Sequence, residues 1–186
     1  MFAKQGYDFV GIDQRGFGYS EGERGMIECE SKTIDDLIQH IDQVDEKYGG
    51  KHVKKYAIGF SFGGLLTSKI TAIRPELFTS VALLAPFFSF LQKEKFEKHY
   101  ATVEALSKTN PTHKLMILPM KPLPPSWTLH FVVDPVCETR DISARNLYEL
   151  SQAPLRLTDS MIASIKSPIL MITGEREQVV NNGEAK

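Results

Sequence analysis

Several things are scarce in this sequence, and each scarcity excludes a class of protein. It has two cysteines, Cys29 and Cys137, in 186 residues. Two cannot build a disulfide framework or a four-ligand zinc site, so the chain reads as reduced, soluble and intracellular. There is no basic surplus: 22 Lys and Arg against 23 Asp and Glu leave a net charge of −1. Nucleic-acid binders usually carry such a surplus, so no nucleic-acid partner is expected. No stretch reaches the ~18 uninterrupted apolar residues of a membrane span, and residues 1–7 lack the basic and apolar regions of a signal peptide. Glycine (13) and proline (10) stand at ordinary usage, which excludes collagen-like and low-complexity chains. What remains is 42% hydrophobic and 24% charged, the balance of one ordinary globular domain.

Strand-like and helix-like segments alternate through the first half. Tyr7–Asp13 is short, aromatic and β-branched and stops at a Gly-rich turn, which predicts a strand. Ile34, Leu37, Ile38, Ile41, Val44 and Tyr48 form one apolar stripe, which predicts a helix over 33–48. Thr33 with Asp36 reads as its capping box and Gly49-Gly50 as its stop. Strands are predicted over 53–59, 80–85 and 169–173, with a helix over 63–73 closed by Pro75. This order predicts an α/β protein: a mostly parallel sheet with helices on both faces. Apolar runs such as Val81–Leu84 and Ile169–Ile172 suit strands buried on both sides. More than 80 residues separate Ala85 from Ile169, too many for an ordinary crossover. Helix-like pieces at 90–106 and 143–150 and a Pro-rich stretch at 118–125 fill the gap, and predict an inserted cap over the carboxyl edge of the sheet. The chain thus divides into 1–86, the first part of a core; 87–166, the cap; and 167–186, the rest of the core.

Chemistry enters at Gly59-Phe60-Ser61-Phe62-Gly63, which matches the G-x-S-x-G nucleophile elbow. The motif follows the strand Tyr56-Ala57-Ile58 and opens the next helix, as that turn requires. So tight a turn strains the nucleophile's backbone and calls for glycine on either side, because a Cβ would clash. Ser61 is the predicted nucleophile. The backbone N–H of Phe62, at the helix N-terminus, is the predicted oxyanion donor.

Further motifs carry a family resemblance. Gly11-Ile12-Asp13-Gln14-Arg15-Gly16-Phe17-Gly18-Tyr19-Ser20-Glu21-Gly22 resembles the Asp-x-Arg-Gly-x-Gly-x-Ser-x-Gly loop of the monoacylglycerol lipase and serine aminopeptidase branch of the α/β-hydrolases. Asp134-Pro135 and Ile142-Ser143-Ala144-Arg145 resemble that branch's cap, and Pro168–Gly174 its acid-bearing strand. Asp13 and Arg15 read as residues that order their own loop. The resemblance implies a partial α/β-hydrolase fold that cleaves carboxylic esters, acylglycerols or lysophospholipids among them, through an acyl-enzyme. Aminopeptidase chemistry is the alternative within the branch, and a non-catalytic binding protein the alternative outside it. Neither a metal nor a cofactor is expected. Acyl-chain contacts are expected from the cap, where Leu115–Met120, Leu123, Trp127, Leu129 and Phe131 supply apolar area that equally serves to pack the cap. A cytoplasmic location, with contact at a membrane surface through the cap, follows from the same resemblance.

The family's triad runs Ser, then Asp or Glu, then His. The count from Gly174 lands on Glu177 as the acid, with Glu175 as competitor. The five histidines, His40, His52, His99, His113 and His130, all precede Glu177. His40 and His52 read as surface residues, and the other three as polar cap residues. The family's His-Gly loop, which supplies a second oxyanion donor, has no match here, and neither does the strand between Tyr7–Asp13 and Tyr56–Gly59. That predicts unpaired backbone beside Tyr56–Gly59 and weak hydrolysis at best, the pattern of a partial chain or a degraded relative.

Overall fold

The structure, a computed structural model, describes residues 2–91, 93–117, 133–137, 141–177, 179–181 and 183. The expected Pro-rich stretch, together with Trp127, Leu129, His130 and Phe131, lies outside the described residues. Three parallel strands form the main sheet: β1 (Tyr56–Phe60), β2 (Ser80–Leu84) and, late in the chain, β5 (Ile169–Ile172). Their order is β1-β2-β5, with Ile58 opposite Ala82 and Ala82 opposite Leu170.

Helix α1 (Glu30–Tyr48) starts earlier than its sequence pattern predicts. Cys29, in extended conformation, is its N-cap residue, and Thr33 sits inside the first turn with its hydroxyl on the Cys29 carbonyl. The expected capping box is therefore not formed. The buried side chain of Glu30, held by partners elsewhere in the fold, draws the start back by one turn. The stop is as predicted: Gly49 takes φ 105°, a value that costs glycine little and other residues much. Helix α2 (Phe62–Ile73) leaves β1 directly. It buries Leu66 and Ile70 against Ile34, Leu37, Ile38 and Ile41 of α1, so both apolar stripes end in one seam. Val81 and Leu83 of β2 point into this buried side.

On the opposite face Ile58, Phe60, Leu170 and Ile172 are 50–62% exposed, so among the described residues the expected burial of the strands holds on one side of the sheet only, and even there Ile169, opposite Val81, is exposed. Tyr7–Asp13 is a correction. It runs extended but joins no ladder, and Tyr7, Phe9, Val10 and Ile12 stand exposed. A strand is made by its neighbours, and among the described residues none pairs with this segment. A cavity of about 720 Å³ separates it from β1, lined by Phe9, Val10, Leu37, Ile41, Ile58 and Phe60 among others. Among the described residues the outer edge of β1 is unpaired, as the sequence led us to expect.

After β2 the expected single helix over 90–106 breaks into α3 (Lys93–Glu97) and α4 (Tyr100–Thr109). The two halves converge on one cluster: Val103 is buried against Ile142 and Leu147, and Phe96, stacked on Phe90 at 4.3 Å, packs against them. Two short antiparallel strands, β3 (Lys114–Ile117) and β4 (Asp141–Ser143), lead into α5 (Ala144–Gln152), capped by the Ser143 hydroxyl on the Asn146 N–H at 3.2 Å. Helix α6 (Asp159–Ser164), capped by Thr158, returns the chain to β5.

Candidate active site

Ser61 occupies the single-residue turn between β1 and α2, with φ 52° and ψ −120°. A serine there is strained, and strain of this kind survives only where the surroundings over-determine it. They do so through backbone bonds. The Ser61 N–H donates to the Leu84 carbonyl at 3.0 Å, and the Ser61 carbonyl accepts from Gly64, Leu65 and Phe87. The hydroxyl does not cap α2. The N–H groups of Phe62 and Gly63, in the helix's first turn, have no hydrogen-bond acceptor among the described residues. Ser61 thus stands beside two unspent donors at the positive end of a helix.

The glycine requirement is redistributed relative to the motif. A Cβ on Gly59 would lie 2.6 Å from the Gly63 carbonyl oxygen and from Thr67 Oγ1. One on Gly64 would lie 2.9 Å from Pro86 Cβ. One on Gly63 would meet nothing within 4 Å. Steric need therefore falls on Gly59 and Gly64, and the expectation that both motif glycines are forced is corrected at Gly63. The Gly63-Gly64 pair was the available signal.

The residues after β2 form a strap that sequence reasoning missed. Ala85 takes φ 41°, a second strained non-glycine residue beside the elbow. Phe87 packs with Leu65, Ala153 and Val180, with Phe62 and Leu150 around them. Beyond it, the Leu91 N–H donates to the Val179 carbonyl at 2.9 Å and the Asn181 N–H to the Ser89 carbonyl at 2.9 Å. One strap thereby touches both the elbow and the loop after β5. The Ala85-Pro86 dipeptide at a strand end was its one visible sign.

Glu177 lies in that loop, half-buried. Its Oε1 accepts from the N–H groups of Val179, at 2.9 Å, and Val180, at 3.3 Å. Because β1 and β5 are parallel, the loops that follow them leave the same edge of the sheet, so Ser61 and Glu177 share that edge. Glu175 is exposed on the turn just before.

The Asp13 loop is held from within by Asp13 and tied to α1 by Arg15. Asp13 accepts from the Tyr19 N–H at 3.0 Å, Ser20 Oγ donates to the Asp13 carbonyl at 2.6 Å, and Arg15 donates from Nε and Nη2 to the two carboxylate oxygens of Asp36 at 3.0 and 2.9 Å. That pairing, hydrogen bond first and charge second, keeps the Arg15 guanidinium more firmly protonated than usual. Among the histidines, His52, His99 and His113 are exposed. His40 departs from the surface reading: its Nε2 is shielded from solvent and has no hydrogen-bond partner among the described residues, on the side of α1 that borders the cavity.

A strand–serine–helix elbow on a parallel sheet, with an acid-bearing loop at the same edge, defines the α/β-hydrolase class. The chain belongs to the family described as "Serine aminopeptidase, S33", whose model matches residues 1–186. It is similar to monoglyceride lipase of Mus musculus, 32% identical over 74 residues, and to that of Homo sapiens, 34% identical over 74 residues. Each match covers 40% of this chain and 24% of the relative. Among solved structures, a soluble variant of monoglyceride lipase from Saccharomyces cerevisiae aligns with TM-score 0.71 at 16% identity, over 93% of this chain and 60% of that one. The monoacylglycerol lipase of Paleococcus ferrophilus aligns with TM-score 0.64 at 19% identity, over 91% and 63%. The chain therefore spans less than two thirds of these structures and about a quarter of the curated relatives. Among the described residues, no helix is long and apolar enough to cross a membrane.

Proposed function

We propose that this chain carries the nucleophile half of an ester-cleaving centre for acylglycerol-type lipids. The observation that carries the reading is the strained Ser61 elbow, with two unspent N–H donors behind it. Ser61 Oγ attacks the ester carbonyl and the oxyanion forms against the Phe62 N–H. The alcohol leaves with a proton, and water then cleaves the acyl-enzyme. Glu177, at the same sheet edge, has the chemistry to orient an imidazole that takes the Ser61 proton. Phe62, Phe88, Phe90 and Leu150, gathered in one cluster beside the elbow, offer apolar surface to an acyl chain. The names of the similar proteins favour a monoacylglycerol over a peptide. A second reading, acyl binding without turnover, rests on that apolar cluster alone.

The test is an assay of the purified chain on a short-chain nitrophenyl ester, a monoacylglycerol and an aminoacyl anilide, with Ser61→Ala alongside. The expected result is ester cleavage that Ser61→Ala abolishes. Ester cleavage that survives in Ser61→Ala, or anilide cleaved faster than ester, overturns the reading. Binding of the monoacylglycerol with no Ser61-dependent turnover selects the second one.

A further inference from the structure

Away from the site, three ionisable side chains are almost completely buried together. Glu30 of α1, Lys69 of α2 and Glu149 of α5 have side chains 2–3% exposed. Lys69 Nζ donates to Glu30 and, at 2.6 Å, to the Ala153 carbonyl. Glu149 Oε2 accepts from the Glu30 backbone N–H at 3.1 Å. Arg156 Nη1 bridges both carboxylates at 3.1 Å each, and Arg145 pairs with the other oxygen of Glu149 at 3.1 Å. Burial pulls the Lys69 ammonium below its usual pKa, against the hydrogen bond to Glu30 that raises it.

Such a cluster is a poor way to gain stability. Desolvating three charges is expensive, and apolar side chains of the same volume commonly do as well or better. It supplies direction instead, since charge-assisted bonds fix one register where an apolar seam can slide. It also parts differently: separated charges are rehydrated, whereas a parted apolar seam is not. The placement matters because α2 begins at Ser61. Phe62, Leu65 and Lys69 follow one another at helical spacing, and Phe62 and Leu65 pack with Leu150 and Ala153. One side of α2 therefore runs from the elbow to the charge cluster along segment 141–157. The far end of α5 is tied to the same core: Asn146 accepts from the Ile27 N–H and donates to the Gly25 carbonyl, both at 2.7 Å.

We propose that Glu30, Lys69, Glu149 and Arg156 form a latch that sets the position of segment 141–157 against α2, and that this segment, together with the β3 and α4 it packs on, loosens from α2 when the latch opens. These are positioning residues, and the inference does not depend on the catalytic reading. The experiment is native-state hydrogen exchange on the full chain, comparing wild type with Glu149→Gln. Amides of 146–152 are expected to exchange at least tenfold faster in the variant, with amides of 66–72 in α2 unchanged. Unchanged α5 amides overturn the latch. Equal acceleration in α5 and α2 also overturns it, because the cluster is then a pillar of the whole fold. Arg156→Met is the gentler cut, since Arg156 is 45% exposed and its loss leaves the buried trio bonded. It is expected to give a smaller rise confined to the same amides, and a rise that spreads into α2, or none, overturns the proposal if Glu149→Gln does not fold.

Discussion

Replacing Gly59 with alanine tests the argument that the elbow is built by steric necessity. The new Cβ would lie 2.6 Å from the Gly63 carbonyl oxygen, 2.6 Å from Thr67 Oγ1 and 2.8 Å from Gly64 Cα. Thr67 can turn its hydroxyl aside, but the other two atoms are backbone of the first turn of α2. Relief therefore requires the helix to move away from β1. Overpacking of this kind costs about 1–3 kcal/mol, and the backbone partners put Gly59→Ala at the upper end. The companion variant is Gly63→Ala, where the Cβ meets nothing. There alanine is the better helix former, and the gain is up to ~1 kcal/mol. Thermal unfolding followed by far-UV circular dichroism measures both. At about 2–4 °C per kcal/mol for a chain of this size, Gly59→Ala should lower the midpoint by roughly 6–12 °C, and Gly63→Ala should hold or raise it. Equal losses in the two variants, or none at Gly59, would refute the assignment of steric need to one motif glycine and not the other.

Ser61→Gly should stabilise the chain by about 1 kcal/mol in denaturant unfolding, because glycine accepts φ 52° and ψ −120° without the cost serine bears; a loss of stability would show that the serine side chain repays its strain. Asn146→Ala should cost about 2–4 kcal/mol, since it strips partners from the Ile27 N–H and the Gly25 carbonyl, and a change under 1 kcal/mol would mean that water replaces both bonds. Lys69 carries a folded-state pKa below its ordinary 10.5. The unfolded chain therefore binds more protons just below pH 10.5, and Lys69 adds stability as pH climbs through that window. Wild type should gain on Lys69→Met over that range, and a constant difference between the two would remove the shift.

Much of this protein is written locally. The elbow is legible because a strand, a serine with glycine beside it and a helix follow one another within a few residues, and Ser61 adopts the strained conformation that this order demands. The stop of α1 at Gly49 and the loop-ordering role of Asp13 were legible because their partners lie a short way along the chain, whereas Arg15 pairs with Asp36 of α1, 21 residues on. The parallel pairing of β1, β2 and β5 followed from apolar runs alternating with amphipathic helices. Other features depended on partners far away in sequence. Tyr7–Asp13 has the composition of a strand, but among the described residues no neighbouring strand pairs with it, and composition alone does not supply hydrogen bonds. The strap from Ala85 to Leu91 gains its meaning from Val179 and Asn181, about 90 residues on. The α1 start was set by Glu30, whose carboxylate finds Lys69 and Arg156 at separations of 39 and 126 residues. Periodicity records which face of an element is apolar. Which buried charge meets which is decided only when the elements pack, because ion pairs and shape fit act between neighbours in space.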